Sequence, residues 1–276
     1  MESVQVLVAA VEQEAAVLPR KMHLQTGAIV CNQCRFGANS VKYSGANSVK
    51  YSGANSVKYS GADSVTWGDF SARGVGRNRN EALRRAEADI VLFADQDLTY
   101  ADGYEKIVRE AFERLPRADV IIFDLTYPEG GRKPIRQIRR LGILGCMRFG
   151  AARVGARLAS LREKHITFST DFGGGTKYGS GEDSLFFRDC LREGLRIYAY
   201  PAVIGHLRPE PSSWFTGYNE KYFFDKGVLW SQLFPHGGWA YGLAHCLKQR
   251  KRYGDFGLLS AWRAVCRGLR QGKRGL

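Results

Sequence analysis

The sequence predicts an α/β protein built on a mostly parallel sheet with helices on both faces, and three observations carry that prediction. Short apolar runs of buried-strand type alternate with helix-length segments from Val4 to Ile204. The 276 residues are 44% hydrophobic, enough to fill the core of one large or two small domains. Acidic pairs and glycines gather just beyond strand ends, where open α/β sheets hold their ligands.

Val4, Val6, Leu7 and Val8 mark the first strand, a helix is expected over 12–22, and Ala28-Ile29-Val30-Cys31 gives the second strand. Strand, helix and strand in about 30 residues make a βαβ opening. An octapeptide, Gly-Ala-Asn-Ser-Val-Lys-Tyr-Ser, then occurs three times unchanged over 37–60, with a degenerate fourth copy over 61–68. Solenoid repeats run to about 20–50 residues, so this period does not define the fold. Val41 and Tyr43 alternate with Ser40, Lys42 and Ser44. The segment 37–68 therefore reads as a surface insert, mobile or loosely β-structured, with a small ordered meander as the alternative. Strands follow over 64–67, 89–94 and 119–125, interleaved with helices over 78–86 and 101–115. A helix over 182–193 and a strand over 196–204 continue the pattern.

Charge is distributed unevenly. The net charge is +14, yet residues 132–164 hold ten Lys or Arg against Glu163 alone, and residues 245–276 hold nine against Asp255. Such segments seek phosphate on nucleic acid, anionic lipid or a lipid-linked substrate. In the first, Arg136, Arg139, Arg140, Arg153 and Arg157 alternate with apolar residues, which predicts an amphipathic, glycine-broken helix. The second predicts a basic amphipathic tail over 245–276, with Trp262 as an interface anchor, following a main domain over 1–244. No run reaches the roughly 18 apolar residues of a membrane span. Glu2, Glu12 and Glu14 break any signal-peptide pattern, and six unpatterned cysteines fit a reducing compartment. The expectation is a cytoplasmic protein, peripheral on an anionic membrane surface. No nucleic-acid module accompanies the charge, so no nucleic-acid partner is expected.

Asp95-Gln96-Asp97 follows an apolar strand, and two carboxylates two apart can turn toward one hard cation. Upstream, Arg73-Gly74-Val75-Gly76-Arg77-Asn78-Arg79-Asn80 leads into a helix and offers glycines, arginines and a helix start to phosphate. Downstream, a glycine-rich stretch from Phe172 reaches Gly181-Glu182-Asp183 at a helix N-terminus, where acids either cap the helix or serve as a base in a cleft. Cys31 and Cys34 have metal or redox spacing, but there is no second pair, so neither role is assigned. Trp214, Phe215, Tyr218, Tyr222, Phe223 and Phe224 suit either an acceptor sugar or core packing.

The ordered set of Val4–Ala10, Gly74 to Asn80, Asp95-Gln96-Asp97, Gly181-Glu182-Asp183 and Trp214 to Tyr218 resembles a family-2 glycosyltransferase with the GT-A fold, over roughly 3–235 without the repeat. The resemblance implies a nucleotide-sugar donor, inversion at the anomeric centre, and a glycan or lipid-linked glycan acceptor of a bacterial surface polysaccharide. It makes Asp95 and Asp97 the ligands of Mn²⁺ or Mg²⁺, with His206 as a third. Asp183 becomes the general base and Glu182 the weaker candidate. Arg77, Arg79, Asn80, Asp95 and Asn32 line the nucleotide, Asn32 standing where many relatives carry an acid. Two other readings stay open. A nucleotidyltransferase would want a glycine- and lysine-rich loop where Ala9-Ala10-Val11-Glu12-Gln13-Glu14 stands. A non-enzymatic membrane- or nucleic-acid-binding protein would use the charge alone.

Overall fold

The computed structural model describes residues 1–34, 56–57, 65–127, 133–208, 217–253 and 256–274. All but two residues of the three unchanged repeat copies, and Trp214 and Phe215 of the aromatic cluster, lie outside the described residues.

The βαβ opening forms as β1 (Val4–Val11), α1 (Leu18–Lys21) and β2 (Gly27–Gln33), with β1 and β2 parallel. The helix expected over 12–22 shrinks to α1. Glu12 takes a positive φ of 50° just after β1, and Pro19 sits at the first helical turn, where its fixed φ starts a helix but cannot extend one upstream. The short β3 (Ser56–Val57) pairs antiparallel with β4 (Val65–Phe70), which lies parallel beside β2. The fourth octapeptide copy thus supplies the start of β4.

Helix α2 (Val75–Arg85) precedes β5 (Ile90–Asp95), which runs parallel to β1 and ends on Asp95. Next come β6 (Leu98–Tyr100), α3 (Tyr104–Arg114) and β7 (Val120–Thr126). Between 133 and 163 the structure departs from the expected amphipathic helix. Strand β8 (Arg139–Arg140), α4 (Ile143–Cys146), a 3-10 turn, β9 (Val154–Arg157) and α5 (Leu158–Glu163) stand there instead. Strand β9 slots between β5 and β7, antiparallel to both. Its arginines are committed to the protein: Arg153, buried, pairs with Asp124, and Arg157 pairs with Glu2 and donates to Ala118 O. A solvent-facing basic helix would leave Asp124 buried without that cation.

Helix α6 (Glu182–Arg192) leads to β10 (Ile197–Leu207), parallel to β7 and antiparallel to β6 and β8. The described strands form one ten-stranded sheet in the order β3-β4-β2-β1-β5-β9-β7-β10-β6, with β8 on β10. The long strands β1, β2, β4 and β5 are mutually parallel, and short antiparallel strands make the whole mixed. Period-two alternation sends Val6, Val8, Leu92 and Ala94 into the core on one face, and Leu7, Val91 and Phe93 into that on the other. A third core lies under α7 (Glu220–Leu233), α8 (Gly238–Gln249) and α9 (Leu258–Lys273). Residue 245 falls inside α8. Phe223 is fully buried there, stacked on Phe256 and edge-on to Tyr253, so this part of the aromatic cluster is core.

Candidate active site

The site is assembled where β1, β2 and β5 end. Helix α2 starts at Val75 rather than at the expected residue 78, so Arg77 joins Asn78, Arg79 and Asn80 in its first turns. Asn78 Nδ2 donates to Ala10 O and Cys31 O at 3.2 and 3.1 Å, anchoring the helix to the carboxyl ends of β1 and β2. Gln33 Nε2 donates to Gly74 O at 2.9 Å. On its other side the helix meets the stretch that leads to α6. A Cβ at Gly76 would stand 2.1 Å from Ser169 O, so only glycine permits this approach. Asn80 accepts from Phe168 N at 2.7 Å and donates to Phe168 O at 2.8 Å. Its amide is engaged by the backbone, while Arg77 is exposed.

Arg79 is the centre of the arrangement. Its side chain is 3% exposed, and its guanidinium reaches three carboxylates from two distant parts of the chain. Nη2 lies 2.8 Å from Asp95 Oδ1, and Nη1 lies 2.9 Å from Asp183 Oδ1 and 3.2 Å from Glu182 Oε1. The Phe168 ring lies under the guanidinium at 5.2 Å. Burial opposes the charge on Arg79, but Asp95, Asp183 and Glu182 outweigh it and raise its pKa. The Asp183 carboxyl is pushed up to about 7 by burial and by Glu182, while Arg79 pulls the other way. That is the range a general base at neutral pH requires.

Glycine and α7 hold the acidic pair in place. Gly173 has φ +109°, and a Cβ there would stand 2.9 Å from the Glu182 carboxyl. Asp225 of α7 accepts from Gly179 N at 2.9 Å, and Lys226 Nζ donates to Ser180 Oγ at 3.1 Å. Burial lowers the pKa of Lys226, with Glu182 and Asp225 opposing. Neither Asp225 nor Lys226 stands out in the sequence as part of the site. Their placement amid the apolar and aromatic run of α7 from Tyr222 to Trp230 was the available signal.

Asp97 is half-buried in the turn after β5, and its carbonyl accepts from Arg208 N at 2.9 Å. The Arg208 guanidinium grips the same turn, donating to Gln96 O, to Thr99 Oγ1 at 2.8 Å and to Lys21 O at 3.0 Å. His206, two residues before it on β10, is exposed and stands opposite Thr99. Among the described residues no three His, Cys, Asp or Glu side chains gather in metal-ligand fashion. Two aspartates on one turn, with Asp95 39% exposed, nonetheless offer the hard-oxygen donor set that Mg²⁺ or Mn²⁺ shares with a substrate's phosphates.

Asn32 is buried at the end of β2, exchanging hydrogen bonds of 3.0 Å with the Gln13 backbone and donating to Asp69 Oδ1 at 2.9 Å. Asp69 stands in register beside it on β4 and also accepts from Trp67 Nε1 at 2.9 Å. A carboxylate therefore stands beside Asn32, on the neighbouring strand. Two-residue alternation from Trp67 along the strand would have placed it. Burial pushes the Cys31 thiol up to about 12, and burial with Asp69 does the same to Cys34. Neither favours the thiolate that redox or zinc chemistry needs.

The fold is the GT-A architecture of an α/β glycosyltransferase. Residues 70–193 match Glycosyl transferase family 2, which places a family-2 glycosyltransferase domain in this chain. No curated protein sequence matches it. Among solved structures it resembles S. aureus TarS 1–349 in complex with UDP-GlcNAc, with a TM-score of 0.58 and 16% identity over 99% of this chain and 90% of that one. TarS 1–349 in complex with UDP gives 0.54 and 16% over 83% and 65%. Against S. aureus TarS the values are 0.55 and 16%, covering 92% of this chain but only 44% of that one. The chain thus spans less than half of the longest of these relatives, and the likeness is one of fold.

Proposed function

We propose that this enzyme transfers a sugar, with inversion, from a nucleoside-diphosphate donor to a hydroxyl of a surface-glycan acceptor, lipid-linked at the inner face of a bacterial membrane. The observation that carries the proposal is Arg79, which ties the carboxylate at the end of β5 to the acidic pair at the start of α6 in one cluster. Asp95 and Asp97 are the residues that would hold a divalent cation together with the diphosphate, and its charge would offset that of the leaving group. Asp183 takes the proton of the acceptor hydroxyl, whose oxygen attacks the anomeric carbon opposite the departing diphosphate. Glu182, held by Arg79 and by Gly181 N, keeps the pair oriented. Arg77, exposed at the head of α2, is available to the donor phosphates, and Asn32 with Asp69 edges the nucleoside end of the cleft. His206, exposed and paired with Thr99 just past the Asp97 turn, would add to the metal or meet the diphosphate.

Calorimetric titration of UDP, GDP, CDP and dTDP, with and without Mn²⁺, tests this reading. One diphosphate should bind in a Mn²⁺-dependent manner, and Asp97→Asn should abolish that binding. Asp183→Asn should keep donor affinity and lose transfer. Failure of all four to bind, or normal turnover by Asp183→Asn, overturns the proposal.

A further inference from the structure

Helix α8 has two apolar faces, and only one of them is covered. Gly238, Gly242 and Cys246 are buried against Trp230, Val265 and Leu269 of the neighbouring helices. The opposite stripe, Ala240, Leu243, Ala244 and Leu247, follows i, i+3, i+4, i+7 spacing and faces solvent, with Leu243 43% and Leu247 46% exposed. A surface helix of a globular enzyme normally turns its polar side to water, so this stripe is inverted.

The stripe runs into cations. Lys248, Arg250, Lys251 and Arg252 are all exposed at its C-terminal end. From residue 226 to residue 276 the chain carries ten Lys or Arg and a single acid, Asp255. Trp239, half-buried beside the stripe, meets Trp262 edge-on at 6.0 Å, and the Arg270 guanidinium lies over the Trp239 ring at 5.8 Å. Amphipathic rings of this kind favour the boundary between hydrocarbon and water.

We propose that this face of α8 docks on an anionic lipid surface, lying in the interface with Leu243 and Leu247 inserted among acyl chains and the four cations on the headgroups. No described helix is long and apolar enough to cross a membrane, which leaves the surface-lying geometry for α8. Charge decides against a second copy of the chain as occupant. An isologous contact would set one strongly cationic patch against another, and like charges so placed repel. The proposal does not depend on the catalytic assignments and is tested without substrate.

The full chain is sedimented with sucrose-loaded vesicles of phosphatidylcholine alone and of phosphatidylcholine with 30% phosphatidylglycerol. Binding to the anionic vesicles should exceed binding to the neutral ones by at least about tenfold and fall with salt. Leu243→Glu with Leu247→Glu, both at exposed positions, should lower it about tenfold or more with the thermal transition unchanged. Replacing Lys248, Arg250, Lys251 and Arg252 by Gln should remove the preference for anionic lipid. Brominated lipid should quench the wild-type tryptophan emission, and less so after Trp239→Phe. Equal binding to both vesicles, wild-type binding by the double Glu variant, or binding to DNA but not to vesicles overturns the proposal. Donor titration on the same variants should be unchanged.

Discussion

Replacing Arg79 by Met removes the guanidinium while keeping most of the side-chain volume over Phe168. Three carboxylates are then left clustered with no cation between them. Removing one partner of a buried ion pair costs about 3–5 kcal/mol. Asp95 is 39% exposed and Asp183 24%, so water takes up part of the released charge, and the lower end, about 3 kcal/mol, is expected. For a chain of this size that lowers Tm by about 6–12 °C. The loss must also depend on pH. Burial and Glu182 already raise the Asp183 pKa to about 7 against the pull of Arg79, and without Arg79 it rises further. A carboxyl whose folded pKa is raised adds stability below its unfolded pKa, and that stability is lost as pH rises through the folded value. The deficit of Arg79→Met should therefore be largest near pH 8 and shrink toward pH 5. Thermal unfolding of both proteins at the two pH values reads it directly. A Tm within about 2 °C of wild type at pH 8, or an equal deficit at both pH values, refutes Arg79 as the charge hub.

Two further outcomes are expected. Asn80→Ala leaves the Phe168 N–H and carbonyl without their side-chain partner, so it should cost about 1–3 kcal/mol while donor affinity stays within about twofold. Loss of affinity without loss of stability would make Asn80 a nucleotide contact. His245, packed 4.8 Å from the Trp230 ring, is pushed down to about 4 by burial and by Lys226 and Lys248. Its stabilising contribution is complete above about pH 6.5 and is lost as pH falls toward 4, worth about 1–2 kcal/mol after allowance for partial exposure. His245→Gln should flatten that part of the Tm profile between pH 7 and 4.5.

The sequence was most legible where local pattern and sheet position coincide. Val4–Val8, the strand before Asp95 and the helix at Glu182 each carry their own periodicity, and their alternation announces a mostly parallel sheet. The segment 132–164 misled because strand β9 owes its place to partners about 30 to 70 residues away, on β7 and β5. Arg153 and Arg157 read as solvent-facing because nothing local announces that Asp124 and Glu2 will pair with them. The acidic residues of the candidate site stood out as motifs at strand and helix ends, but the junction between them did not. A guanidinium between carboxylates more than 80 residues apart in the chain is a tertiary fact, and Arg79 in a glycine-rich run reads first as a phosphate contact.

The C-terminal helices bear on catalysis through contacts that bypass the sheet. Helix α7 fixes the loop ahead of the acidic pair through Asp225 and Lys226, and the same helix forms one core with α8, α9, Phe172, Tyr178 and Leu185. The proposed base is therefore held by a unit whose outer helix presents the apolar, cationic stripe. Asp95 instead belongs to β5, on the sheet side of Arg79. A membrane contact made through α8 would fix the orientation of the base side while leaving the donor carboxylates on the sheet. An acceptor anchored in that membrane would then approach from the side of Asp183, as a single in-line displacement requires. Losing the α8 contact would remove that advantage, so transfer to a membrane-embedded acceptor should fall in the Leu243→Glu, Leu247→Glu variant while transfer to a water-soluble analogue stays at the wild-type rate. Equal loss on both acceptors would place the effect in the catalytic core and separate the surface from the reaction.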